Sequence, residues 1–95
     1  MRFEWDPAKN ESNRLKHGLE LQEATDLFAA SDYLEIPDEG HSDDEERFLG
    51  IGSIQRGVIV VVWTERNEDV IRLISARHAT KSEIELYRRY MEDET

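Results

Sequence analysis

The sequence predicts an α+β fold: two N-terminal helices, an antiparallel sheet of about four strands, and a C-terminal helix. Three observations predict it. Residues 7–30 combine helix punctuation with a 3.6-residue apolar period. Residues 58–64 form a near-continuous β-branched run, flanked by further short apolar segments and tight turns. Residues 80–83, Thr-Lys-Ser-Glu, match a capping box. Helices grouped first and strands grouped after them give segregated layers rather than alternating βαβ units.

Each element follows from its residues. Met1–Trp5 reads as a short edge strand. Asp6 is a good N-cap, because its carboxylate can accept from free N–H groups of the first turn. Pro7 suits the next position, where the missing N–H costs nothing. Gly18 can take the left-handed conformation that closes a helix, and Lys16 and His17 place positive charge in the last turn. A helix over Pro7–His17 is thus specified at both ends. Leu19–Ala30 carries apolar residues at 21, 24, 27 and 28 and reads as an amphipathic second helix. Tyr33–Ile36 is a short strand ended by Pro37. Residues 37–46 form an acidic, turn-rich loop. Phe48–Gly52 is a strand whose two glycines indicate a bulge or a close approach. Gln55–Gly57 is a turn, and Val58–Thr64 is the central strand. Glu65–Asp69 turns the chain into a strand over Val70–Ser75. The last helix runs from Lys81 to about Met91.

Ninety-five residues make one domain, residues 1–95. The longest apolar run, Val58–Trp63, is far too short to cross a bilayer. With no signal-peptide apolar segment at the N-terminus, a cytoplasmic location is expected. The absence of cysteine excludes a disulfide scaffold and thiolate metal sites. The net charge is −10, but it is unevenly placed. Residues 31–46 hold eight acidic groups and no basic one, whereas residues 47–82 hold six basic and three acidic groups. A surface on the central part can therefore be locally positive, since screening acts over about 8 Å.

Four ordered segments carry a family resemblance. They are Phe3-x-Trp5-Asp6 with Lys9, Asn13 and Lys16-His17-Gly18; Glu45-Glu46-Arg47-Phe48 with Gly50-Ile51-Gly52; Val60–Arg66; and Ile71–Arg77. Together they span nearly the whole chain and resemble the BrnT family, the toxins of BrnT–BrnA type II toxin–antitoxin pairs. The resemblance implies a RelE-like ribonuclease that cleaves RNA and inhibits translation. It also implies neutralisation by a BrnA-like antitoxin with a ribbon-helix-helix DNA-binding domain, in a 2:2 assembly. No metal or other cofactor is expected.

Metal-free RNA cleavage needs a base near the 2′-hydroxyl, an acid near the leaving oxygen, and cations for the developing phosphorane charge. The cationic candidates are Lys9, Lys16, Arg47, Arg66, Arg72 and Arg77; the proton-transfer candidates are His17, His41, His78, Glu46 and Glu65. Arg66, Arg72 and Arg77 lie on or beside the central strands and suit bidentate phosphate binding. The competing reading pairs them with nearby carboxylates. Strict alternation puts Arg72 and Arg77 on opposite sheet faces unless the strand ends or bulges near Ser75. Histidine is the residue type that exchanges protons near neutrality, which favours His17; the competing role is to meet the helix dipole. Lys9 and Lys16 share a helix face with Asn13 between them, either to contact phosphate or as a solvated face. His78 can act with Arg77 or lie idle in a loop. Trp63 ends the central strand and is the better of the two tryptophans for base stacking, although core packing competes. Glu46 is either a base or an ion-pair partner of Arg47 or Arg66. His41 with Asp38, Asp43 and Asp44 imitates a metal site, but reads better as a solvated acidic loop. The expected catalytic set is His17, Glu46, Arg47, Arg66 and Arg77, and the RNA-binding set is Lys9, Lys16, Trp63, Arg72 and His78. The acidic balance also admits a different function, a non-catalytic module that binds a basic DNA-binding partner. The acidic loop 37–46 is either an antitoxin-docking surface or a sign of weakened activity.

Overall fold

The computed structural model describes residues 1–30, 32–38 and 45–93. In chain order they form β1 (Arg2–Glu4), α1 (Pro7–His17), α2 (Leu21–Ala30), β2 (Leu34–Pro37), β3 (Arg47–Ile54), β4 (Gly57–Arg66), β5 (Val70–His78) and α3 (Lys81–Asp93). The fold is α+β, as the sequence predicts. The strands make one five-stranded sheet in the order β1-β5-β4-β3-β2. β3, β4 and β5 are antiparallel neighbours joined by short turns, and β2 pairs antiparallel with β3. β1 is the difference. It lies parallel to β5, with Arg2 opposite Val70 and Glu4 opposite Arg72, so the sheet is mixed.

The punctuation of α1 acts as expected. The Asp6 carboxylate accepts from the Ala8 N–H at 2.9 Å, and Gly18 closes the helix at φ 73°, donating its N–H to the Arg14 carbonyl at 2.8 Å. Helix α2 starts two residues later than the periodicity indicates. Leu19 and Glu20 instead form the link, and the Glu20 N–H donates to the Glu23 carboxylate at 2.8 Å. Leu21, Ala24, Leu27 and Phe28 are all buried, so the predicted apolar face is the one that meets the sheet.

That first face of the sheet holds the main core. Ile59, Val61 and Trp63 of β4 and Ile71, Leu73 and Ala76 of β5 pack with Leu19 and the α2 residues. Trp63 is only 1% exposed and is ringed by Phe28 edge-on at 4.9 Å, Phe48 stacked at 5.9 Å and Tyr33 edge-on at 6.0 Å between ring centroids. Gly50 makes this possible. A Cβ there would stand 2.7 Å from the indole ring, so only glycine lets Trp63 lie on β3. The glycines of β3 thus mark a close approach.

The bulge lies on β5. Val62 is opposite Ser75 and Trp63 is opposite Leu73, which leaves Ile74 as the extra residue. Two consequences follow. The strand continues past Ser75 to His78, and Arg72, Ser75 and Arg77 come to the same face, opposite Thr64, Val62 and Val60.

This second face is not left bare, as helices confined to one side would leave it. Tyr87 and Met91 of α3 pack on it against Ile51, Val60, Leu34, Leu49 and Val58. The capping box opens α3: the Thr80 N–H donates to Glu83 at 2.8 Å and the Glu83 N–H to the Thr80 hydroxyl at 3.3 Å. Glu83 is also gripped by both terminal nitrogens of Arg77, each at 2.8 Å. That bidentate bond chiefly lowers the Glu83 pKa, to about 2, against the opposing effect of burial.

One polar side chain docks α1. Asn13 is 6% exposed, and its amide donates to the Leu19 and Ala76 carbonyls, both at 2.8 Å. Its carbonyl accepts from the Ala76 N–H at 3.0 Å. Asn10 adds one bond, accepting from the Leu21 N–H at 2.7 Å.

Two outcomes follow for stability. Replacing Asn13 with Ala strands three buried backbone groups and should cost roughly 2–4 kcal/mol in urea unfolding. Asn10→Ala should cost only about 1 kcal/mol; equal losses would contradict the role given to Asn13. For Glu83, whose folded pKa lies below the ordinary 4.5, the stabilisation is complete above about pH 4.5 and fades as pH falls toward 2. The stability gap between the parent and Glu83→Gln should therefore be constant above that pH and shrink below it.

Candidate active site

Helix α1 has no apolar stripe. Leu15, its one large apolar side chain, points outward and is 71% exposed. Lys9, Ser12, Asn13, Lys16 and His17 follow the i, i+3, i+4, i+7, i+8 pattern, which puts them on one face of the helix. Facing them are Ile74 and Ser75 at the β5 bulge, and together these seven residues line a cavity of about 170 Å³. Asn13 fixes its floor by holding Ala76, and the extra residue in β5 brings Ser75 to its rim. A polar helix face held on a sheet edge by an amide, rather than by apolar burial, leaves a polar cavity instead of a packed seam.

Among the described residues, Lys9, Lys16 and His17 have no carboxylate partner, in a chain with 22 acidic groups. The arginines are treated differently. Arg14 pairs with Glu11 at 2.6 Å, Arg56 with Glu23 at 2.9 Å and Arg77 with Glu83 at 2.8 Å. Arg66 lies 3.4 Å from Glu45 and 3.9 Å from Glu4, and Arg72 lies 3.7 Å from Glu4. The Ser75 and Ser12 hydroxyls also make no hydrogen bond among the described residues, so each is available to a ligand.

A second group lies across the second face. The register aligns Glu4 of β1, Arg72 of β5, Thr64 of β4 and Arg47 of β3 in one transverse row. Arg66 lies two residues further along β4 on the same face. Thr64 is buried, and its hydroxyl donates to the Glu46 carbonyl at 2.6 Å, which fixes where β3 begins. Ser75 shares this face, so the cavity rim and the row are connected along β5.

The structure thus gathers Lys9, Lys16 and His17 at one cavity and Arg47, Arg66 and Arg72 in one row. It separates the others. Trp63 cannot stack on a base, because it is enclosed in the aromatic core. Arg77 is committed to Glu83 and so to the start of α3. His78 is exposed at the far end of β5, opposite Ile59. Glu46 is exposed before β3 and contributes its backbone carbonyl; Arg66 takes Glu45 and Glu4 instead. Glu65 is exposed opposite Ile71. His41, Asp43 and Asp44, with most of the acidic loop, lie outside the described residues. Sequence reasoning missed Ser12, Ser75, Glu4 and the docking role of Asn13. The uninterrupted polar face from Lys9 to His17 was the available signal, because a helix docked on a sheet ordinarily turns an apolar face inward.

Two ammonium groups and an imidazole around a small polar cavity suit an anion, and the adjoining hydroxyls suit a phosphate ester. Histidine can also move a proton there near neutral pH. The family model described as the ribonuclease toxin BrnT of type II toxin–antitoxin systems matches residues 5–83, which include α1 and β2–β5. Among solved structures, the 1.1 Å crystal structure of the Brucella abortus ribonuclease toxin BrnT matches with a TM-score of 0.68 at 24% identity. The match covers 85% of this chain and 99% of that one. At that identity it establishes the shared fold alone. No curated protein matches. The family model spans most of the chain, and the chain belongs to the BrnT family of ribonuclease toxins of type II toxin–antitoxin systems.

Proposed function

We propose that this toxin cleaves RNA without a metal at the cavity between α1 and β5. The observation that carries this reading is the set of three basic side chains, Lys9, Lys16 and His17, that line one cavity and have no carboxylate partner among the described residues. In an acidic chain, an unpaired cationic cluster repels itself until an anion arrives. A phosphodiester is such an anion, and ammonium groups placed around it stabilise the charge that builds on its oxygens in the transition state. His17 moves a proton between the ribose 2′-hydroxyl or the leaving 5′-oxygen and solvent. Arg47, Arg66 and Arg72 hold the flanking strand through its phosphates, which displace Glu4 and Glu45 from Arg66 and Arg72. Glu46 stands beside this row as an exposed carboxylate.

Cleavage of cellular RNA inhibits translation, and the site of action is cytoplasmic. The partner is a basic antitoxin of the BrnA type with a ribbon-helix-helix domain, attracted by the net charge of −10 and assembled with the toxin in a 2:2 complex. The acidic run that ends at Glu45 and Glu46 is its docking surface.

Purified His17→Gln should lose cleavage of a single-stranded RNA by about 10²–10⁴-fold, the range for a proton-transfer group, with unfolding unchanged. Lys9→Gln and Lys16→Gln should each weaken it while leaving the fold intact. Arg77→Gln should lower stability before it lowers the rate per folded molecule. If His17→Gln cleaves as fast as the parent, the cavity is not the reaction centre.

A further inference from the structure

The size and lining of the α1–β5 cavity specify which part of an RNA chain enters it; this inference rests on the reading of that cavity as the site of cleavage. The cavity measures about 170 Å³. Sites that enclose whole small molecules begin at about 300 Å³. The space therefore suits part of a nucleotide, such as a phosphate with its attached sugar, rather than a whole one. The lining agrees. A base is held by an aromatic plane or by several donors and acceptors set around its edge. None of the seven lining residues is aromatic except the imidazole of His17. Phe3, Phe28, Tyr33, Phe48 and Trp63 are all turned into the core of the first face. The Asn13 amide, the one lining group able to pair bidentately with an adenine edge, is already bonded to Leu19 and Ala76.

On the strand side of the cavity, one polar group remains unused among the described residues. Ser75 is half-buried, its hydroxyl has no partner among the described residues, and the bulge at Ile74 sets it beside the basic face of α1. A neutral hydroxyl next to three basic groups complements a sugar hydroxyl next to a phosphate, since it can both donate and accept. We propose that the cavity reads the RNA backbone alone, that the Ser75 hydroxyl contacts the 2′-hydroxyl of the ribose whose phosphate lies against Lys9, Lys16 and His17, and that it thereby selects ribose over deoxyribose. Base identity makes no contact in the cavity, so cleavage there is nearly indifferent to the base.

The test uses the full chain and three small probes: inorganic phosphate, methyl ribofuranoside 3-phosphate and its 2-deoxy counterpart. Binding is followed by calorimetry or by the resonances of α1. The expected result is several-fold tighter binding of the ribose ester than of the deoxyribose ester. Ser75→Ala should erase that preference and leave phosphate affinity within about twofold. Four RNA oligomers differing only in the base at one position should be cut there at rates within a few-fold of each other. Equal binding of the two sugar esters by the parent would overturn the proposal without involving any variant. A rate difference of a hundredfold between bases would overturn it as well. If instead Lys9→Gln and Lys16→Gln leave phosphate binding unchanged, it is the underlying reading of the cavity that fails.

Discussion

The carboxamide of Asn13 is the contact on which the rest of this molecule depends. β1 covers β5 only over residues 70–72, so further along the strand the outer edge is open. At Ala76 both the N–H and the carbonyl turn toward that edge, and Asn13 meets both while also holding the Leu19 carbonyl that leads into α2. One side chain thus does at this position what another strand would do, and it replaces the apolar seam that α1 lacks. Because docking is achieved by hydrogen bonds, the neighbouring positions on the same helix face are free to be Lys9, Ser12, Lys16 and His17. A helix docked by burial would have needed leucines there, and the basic cavity would not exist.

The β5 bulge is the second half of the arrangement. The extra residue at Ile74 shifts the alternation, brings Ser75 to the cavity and puts Ser75 and Arg77 on the same face as Arg72. Charge then separates two kinds of cation. Arginines on the strands and at α3 meet carboxylates at 2.8–3.9 Å, and the strongest of these pairs, Arg77 with Glu83, fastens β5 to the start of α3. The three basic groups of the cavity meet none among the described residues. An overall charge of −10 is therefore compatible with a locally basic cavity, because among the described residues no carboxylate pairs with Lys9, Lys16 or His17.

What was legible in the sequence was local. Asp6, Pro7 and Gly18 bound α1 where they should, Thr80 and Glu83 open α3, and the period at 21, 24, 27 and 28 is the face that α2 buries. The ordered segments from Trp5 onward identified the family. The parts that were not legible depend on residues distant in sequence. Nothing near Arg2–Glu4 says that it pairs in parallel with residues 70–72. Nothing near Ser75 fixes a bulge, although the alternation argument identified where one would matter. Trp63 reads as a strand-end aromatic until Gly50 and Phe28 are placed around it. Asn13 lies 63 positions from the strand it holds, so its role shows only in the folded chain. Lys9, Lys16 and His17 stand out in the sequence as a basic helix face, and they meet at a cavity because Asn13 docks that face by hydrogen bonds rather than by apolar burial.

The central claim is that the anion site lies between α1 and β5. A titration of the isotopically labelled protein with inorganic phosphate, followed residue by residue through its amide and imidazole resonances, tests this directly. The account predicts saturable shifts confined to residues 9–17 and 74–75, with His17 among the largest. Shifts centred on Arg47, Arg66 and Arg72, with α1 unmoved, would contradict it.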